Sequence, residues 1–236
     1  VSKQDIVIGL GLSLPTITQN LNNLAELGLI DTSKKISNTG GRNATAYSYI
    51  EKARYAVGLY LNRHHINCVA VDLSGNVISL IRVRENFDLN DDNYLRKIGE
   101  TVEEVKKDTG LSDDRFLGVG IAVQGLISDD GERVTYGLTL NFTGVTRADI
   151  AKYIPYHNRL FHDSAAAGYA EVWDRNDLDD AFYLSLSNSV GGAVIVANKI
   201  FEGERRKSGE IGHMTIIPKA GDRCYCGQRG CFDTVC

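Results

Sequence analysis

Apolar and polar positions change their period several times along this chain, and each change marks an element. Leu14, Ile17, Leu21 and Leu24 recur at steps of three and four, which predicts a helix with one apolar face. Ser13 before it is a good N-cap, and Pro15 is tolerated in a first turn. Ahead of it the short apolar run Asp5 to Leu10 ends at Gly11, and behind it Gly28-Leu29-Ile30 is a stop. Helix, glycine-containing turn and second helix is the plan of a helix-turn-helix. Asp31 to Ile36, followed by Thr39-Gly40-Gly41-Arg42, predicts two short β segments around the glycine pair, the outline of a wing.

From Tyr55 the pattern turns to β-branched runs. Tyr55 to Leu61, His65 to Leu73 and Asn76 to Val83 predict three strands, Ser74-Gly75 being the second turn. A helix from about Asp92 to Thr109 and a strand from Phe116 to Val123 follow. Further on come a short helix near Thr146 to Tyr153, a strand Arg159 to Phe161, a helix opening at His162-Asp163 and reaching Trp173, a strand Ala181 to Leu186, and hairpin arms at Val194 to Ala197 and Ile200-Phe201. The class is α/β, divided into a helix-turn-helix with linker at 1–54 and two further segments at 55–176 and 177–236.

Composition changes this picture little: 236 residues, 43% hydrophobic and 24% charged, suit a globular protein with one large or two small cores. No apolar run reaches the roughly 18 to 20 residues that span a bilayer, and no basic segment leads into a signal-like core, so the expectation is cytoplasmic with no membrane partner. Charge is uneven. Residues 1–54 hold six Lys/Arg against four Asp/Glu, so the net −4 leaves −6 for the remainder, and any nucleic-acid contact is to be sought at the N-terminus. There the second helix offers Ser13, Thr16, Thr18, Gln19, Asn20, Asn22 and Asn23, short polar side chains suited to base edges and phosphates. Arg42 in its glycine-flanked loop could enter a minor groove, or be a solvated linker residue.

The most specific chemistry lies between Gly209 and Cys231. Cys224, Cys226 and Cys231 have C-x-C-x4-C spacing, Gly227 and Gly230 permit a tight reversal, and His213 lies eleven residues upstream of the first. One imidazole and three thiolates fill a tetrahedral shell, so Zn2+ is favoured over a disulfide or free buried thiols. Cys236 is a weak substitute ligand, and Cys68, in an apolar strand, is a packed core thiol. Glu210, His213 and Asp233 flank the loop and could serve a polyhydroxylated ligand, or be solvated loop charge.

G-E-I-G-H at 209–213 followed by C-x-C-G-x-x-G-C at 224–231 resembles the signature of the ROK family of bacterial sugar kinases and sugar-responsive repressors. L-S-x-P-T-I-T from Leu12, L-x-x-L-x-x-x-G-L-I from Leu21 and G-G-R at 40–42 resemble the winged helix of its repressors. The resemblance implies a winged helix-turn-helix followed by an actin-like, ribonuclease-H-like two-lobed domain of sugar-kinase type. Family repressors are longer, so the chain is expected to be cut at both ends, with an opening helix missing before Val1 and Cys236 inside a helix. The resemblance also implies that Asn141, Asp163, Glu210, His213 and Asp233 contact a sugar; alone, Asn141 would be a turn residue and Asp163 a helix cap. Asp163 stands where kinases place their catalytic base, with His162 replacing an asparagine. The kinase phosphate elements are degraded: Tyr60-Leu61-Asn62-Arg63-His64 stands for D-x-G-G-T, and Ser187 to Ala193 keeps only Gly191 and Gly192 of G-T-G-x-G-G-G. Gln124-Gly125 replaces P-G. The expected function is therefore a non-enzymatic transcriptional regulator that binds operator DNA and a small sugar or sugar phosphate as a homodimer or dimer of dimers. An active ATP-dependent sugar kinase is the alternative.

Overall fold

The computed structural model describes residues 1–36, 44–173, 175, 179–187 and 189–236. Helix α1 (Lys3–Leu10) starts from a reciprocal cap in which the Ser2 hydroxyl accepts from the Asp5 N–H and the Asp5 carboxylate accepts from the Ser2 N–H. It stops at Gly11, whose φ of 62° a side chain would disfavour. Helix α2 (Leu14–Glu26) opens on Ser13, whose Oγ accepts from the Thr16 N–H. Of the four residues expected on its apolar face, Ile17 and Leu21 are buried, while Leu14 and Leu24 remain 51% and 36% exposed.

Strand β1 (Ile30–Asp31) pairs with β4 (Ser48–Tyr49), and β2 (Lys35–Ile36) with β3 (Ala44–Thr45), both antiparallel, so 30–36 and 44–49 are the two arms of one ribbon. The stretch carrying Gly40, Gly41 and Arg42 lies outside the described residues.

Beyond a 3-10 turn at Glu51–Ala53, the strands β5 (Tyr55–Leu61), β6 (His65–Asp72) and β7 (Val77–Arg84) form an antiparallel meander. Helix α3 (Asp92–Asp108) crosses back so that β8 (Phe116–Val123) runs parallel to β5. Its Ile98, Val102 and Val105 are fully buried against Val57, Leu59, Ile66 and Cys68, which is the core of the molecule. Gly99 is needed there because a β-carbon would lie 2.5 Å from the Tyr153 carbonyl oxygen. A small hairpin, β9 (Leu126–Ile127) with β10 (Val134–Tyr136), precedes α4 (Arg147–Ile150). Strand β11 (Asn158–His162) then joins parallel to β8, completing the mixed order β11-β8-β5-β6-β7. In that order the meander comes first and the parallel strands are added on its other side. Because β5, β8 and β11 are mutually parallel and in register at Leu61, Val123 and His162, their carboxyl ends open on one edge, the place where α/β sheets bind ligands.

Helix α5 (Asp163–Val172) leaves that edge and packs over a second, antiparallel sheet of β12 (Ala181–Leu186), β13 (Val190–Val196) and β14 (Lys199–Ile200). Val172 joins Ala193 and Ile195 in its small core, so this helix lies on the second sheet although it falls within 55–176. Strand β13 begins at Val190 rather than Val194: the stretch kept Gly191 and Gly192, and both are paired in the ladder to Ser185 and Leu184. The hairpin to β14 turns through Ala197 and Asn198, both at positive φ, so its second arm starts at Lys199, one residue before Ile200. At the end of the chain a 3-10 turn, Phe232–Thr234, stands where a helix running into Cys236 was expected, and Cys236 is exposed.

Candidate functional site

The edge where β5, β8 and β11 end forms one wall of a cleft, and the turn between β12 and β13 with the loop after β14 forms the other. Tyr60, Gln124, His162, Asp163 and Ser164 face Ser185, Ser187, Ser189, Gly191, Glu210 and His213 across a cavity of about 70 Å³. His162 holds the N-cap position of α5, which makes Asp163 the first residue of the helix rather than its cap. Asp163 Oδ1 accepts from the Ser164 N–H at 2.7 Å. Burial pushes the Asp163 carboxyl above its ordinary range, and the neighbouring His162 opposes that. His162 Nε2 lies 3.7 Å from both Asp163 Oδ1 and Glu210 Oε1, and Glu210 Oε2 lies 3.8 Å from His213 Nε2. Carboxylate and imidazole alternate from the end of β11 to the loop after β14, so the cleft presents acceptors and donors of the kind that hold hydroxyls.

His213 also belongs to the cysteine loop. Its Nδ1 lies 3.6 Å from Cys224 Sγ, Cys226 and Cys231 have their sulfurs 3.7 Å apart, and the four ligand atoms all fall within 4.8 Å of one another. A disulfide would need about 2.05 Å. Ligands about 2.3 Å from a tetrahedral centre stand roughly 3.8 Å apart, so the thiols fit a zinc ion. Burial pushes the Cys224 thiol up and the Cys231 thiol up to about 12, whereas Cys226, against its burial, is brought down by hydrogen bonds from the Gln228 backbone and the neighbouring thiols, so Cys224 and Cys231 are the two that a cation would have to hold as thiolates. With Nδ1 toward the sulfurs and Nε2 toward Glu210, one histidine ties the metal loop to the cleft, as outer-sphere carboxylates do for metal-bound histidines.

Two expected sugar contacts stand apart from this lining. Asn141 is exposed in a turn at φ 56°, where a left-handed conformation favours asparagine. The Asp233 carboxylate accepts from the Val190 N–H, fastening the cysteine loop to β13. The surviving glycine pair has a packing cause: a β-carbon at Gly191 would strike the Ser164 hydroxyl, and one at Gly192 would lie 2.8 Å from the Tyr183 carbonyl oxygen. Asn62, in the degraded first phosphate element, accepts from the N–H groups of His64 and His65 and so builds the β5–β6 turn. Tyr60, Tyr136, Thr139 and Tyr225 line the cleft without having been singled out as contacts. They come from three separate segments, Tyr136 and Thr139 sharing one, and no spacing in the sequence groups the three.

On α2, Thr16, Gln19, Asn20, Asn22 and Asn23 are exposed. Ser13 and Thr18 have local duties: the Ser13 hydroxyl lies 2.7 Å from that of Thr16, and the Thr18 hydroxyl donates to the Leu14 carbonyl at 2.8 Å and accepts from Lys3. Among the described residues no helix is long and apolar enough to cross a membrane.

The profile of one family, described as the ROK family, matches residues 56–236. Among curated proteins, the chain is 26% identical over 229 residues to the xylose repressor of Bacillus subtilis (strain 168), covering 94% of this chain and 58% of that protein. It is 24% identical over 246 residues to the N-acetylglucosamine repressor of Escherichia coli O157:H7, covering 95% of this chain and 55% of that protein. The chain thus spans less than two thirds of the length of these relatives. A crystal structure of a ROK family transcriptional regulator, a homolog of the E. coli MLC protein, superimposes with a TM-score of 0.78 at 22% identity, over 100% of this chain and 60% of that one. The ROK hexokinase from Thermus thermophilus does so with a TM-score of 0.61 at 24% identity, over 76% of this chain and 59% of that one. At these identities the two structures speak for the fold.

Proposed function

The chain belongs to the ROK family, and from that premise we propose that it is part of a sugar-responsive, DNA-binding transcriptional regulator with a zinc-stabilised sugar cleft and no working ATP site. The observation that carries this reading is the cleft, where Asp163, Glu210 and His213 converge from two lobes. The repressor names of the relatives support the regulatory role. Asp163 would accept from a sugar hydroxyl, Glu210 would grip a neighbouring pair, and His213 would link that grip to the metal. His213, Cys224, Cys226 and Cys231 would hold Zn2+, and with four protein ligands its contribution would be structural, to fix the loop.

Against a kinase stands the fate of the phosphate elements. Gly191 and Gly192 are closed in by Ser164, Tyr183 and Ile211, and Asn62 builds a turn in place of the lost acid and glycines. Residues 1–54 would be the DNA-reading unit, with α2 entering a major groove through Thr16, Gln19, Asn20 and Asn23, Ser13 and Thr18 shaping its start, and Arg42 reaching a minor groove. Residues 55–176 and 177–236 would be the two lobes. Asn141 and Asp233 would support the cleft, Asp233 from behind through Val190. In a cytoplasmic homodimer or dimer of dimers, sugar binding between the lobes would bias their orientation and so the spacing of two DNA-reading heads. Linkage then requires operator DNA to change sugar affinity by the same factor.

Paired titrations of the full-length protein, sugar by calorimetry and operator DNA by fluorescence anisotropy, test this. Asp163→Asn and Glu210→Gln each remove a charge-assisted bond worth about 1.5 to 3 kcal/mol, a loss of roughly ten-fold to more than a hundred-fold in sugar affinity, with DNA affinity unchanged in the absence of sugar. Unchanged sugar affinity in both variants, or DNA binding that ignores the sugar in the parent, would sink the proposal.

A further inference from the structure

Tyr60 stands in the first element where the resemblance implies a kinase acid, and parallel strand register brings it to the same edge as Asp163. The Gln124 side-chain amide donates to the Tyr60 hydroxyl at 3.4 Å. That bond occupies an acceptor site on the phenol oxygen and leaves its proton to be given away. Burial and the nearby Asp163 carboxylate hold the Tyr60 phenol above its ordinary range, so it is a neutral donor at neutral pH. A donor and an acceptor therefore stand side by side.

Charge in the cleft points the same way. The described residues lining it include the carboxylates of Asp163 and Glu210 but neither lysine nor arginine. Among the described lining residues outside the cysteine loop, His162, 3.7 Å from each carboxylate, is the one basic side chain, and a single imidazole does not balance two carboxylates. Ser185, Ser187 and Ser189 add hydroxyls without charge. A sugar hydroxyl accepts and donates at once, so it can take the Tyr60 proton and give its own to Asp163. A phosphate ester at that position has little proton left to donate, carries about −1.5 to −2 charge, and would meet carboxylates without a fixed cation to pair with.

We propose that Tyr60, positioned by Gln124, reads the ligand as a donor beside the Asp163 acceptor, and that the ligand is a neutral sugar with a free hydroxyl there rather than the phosphate ester of that sugar. This rests on the sugar-cleft reading above and narrows it to one chemical class. The test is calorimetry of the full-length protein with three pairs that keep the same pyranose ring: D-xylose and its 1-phosphate, D-glucose and its 6-phosphate, N-acetyl-D-glucosamine and its 6-phosphate. The expected result is at least one pair whose neutral member binds ten-fold or more tighter than its ester. Tyr60→Phe should weaken that neutral sugar about ten-fold, the scale of one lost hydrogen bond, and Gln124→Met should weaken it less. Asp163→Asn should narrow the gap between sugar and ester, because one of the repelling charges is gone. An ester that binds as tightly as its parent overturns this inference and leaves the sugar cleft standing. Equal affinity of parent and Tyr60→Phe overturns the role of Tyr60. If neither member of any pair binds, the sugar-cleft reading falls and this inference with it.

Discussion

Asp92 shows how much a single side chain can organise. Its carboxylate accepts from Lys152 Nζ at 2.7 Å and from the Tyr153 hydroxyl at 2.8 Å, and it forms an ion pair with Arg96 one turn further along α3. The bonds from Lys152 and Tyr153 hold its carboxyl at about 2, well under the ordinary carboxylate range. A folded-state value below the unfolded one means that the stabilisation is present above about 3.9 and is lost as pH falls through about 2. Denaturant titrations of the parent and Asp92→Asn should therefore differ at pH 5 and converge toward pH 2. A constant difference across that range would mean that charge at Asp92 is irrelevant. Other residues are equally informative about legibility. Asp163 could be picked out from the H-D-S-A-A-A stretch, and Tyr60 and Gln124 only as departures from kinase motifs; that the three meet could not be read, because each stands at the end of a different strand.

Among the elements, α2 matched its pattern least evenly. The three-four spacing located the helix and its Ser13 cap, yet of the four apolar positions only Ile17 and Leu21 are buried. Ser13→Ala should cost about 1 kcal/mol of stability by removing the bond to the Thr16 N–H, measurable by denaturant unfolding. Gln19→Ala, on the exposed face, should leave stability within about 0.5 kcal/mol while weakening operator binding in an anisotropy titration, and equal DNA affinity would remove α2 from the recognition surface. Strand β13 carries the opposite lesson. Its glycines pointed to a remnant of a phosphate loop, whereas in the fold they let β13 pass close to Ser164 and Tyr183.

At the scale of the molecule, the cysteine loop joins the second sheet to the cleft through Val190, Asp233, His213 and Glu210. Protein purified without added metal should contain about one zinc per chain, and removing it with a chelator should lower the melting temperature and abolish sugar binding together. Mass spectrometry after alkylation checks the assignment: Cys236, exposed, should react at once, and Cys68, buried with its thiol pushed up to about 12, only on unfolding. Cys224, Cys226 and Cys231 should become reactive on chelation. Rapid labelling of these three with metal present would contradict the tetrahedral set.

By itself the sequence determined what depends on near neighbours and on residue type. Period placed the five strands of the mixed sheet and the helix that crosses it, because alternation and three-four spacing are local consequences of burying one face. Spacing also brought three cysteines and one histidine into a single group, since a tight loop leaves them few other arrangements. Only the tertiary structure decided which side chains share the cleft. Parallel register of β5, β8 and β11 carried Tyr60, Gln124 and Asp163 to one edge, while Asp233 is bonded to the backbone of the lining residue Val190 and is not itself part of the lining. Contacts between residues a hundred positions apart are set by strand pairing and packing, and no local pattern in the chain encodes them.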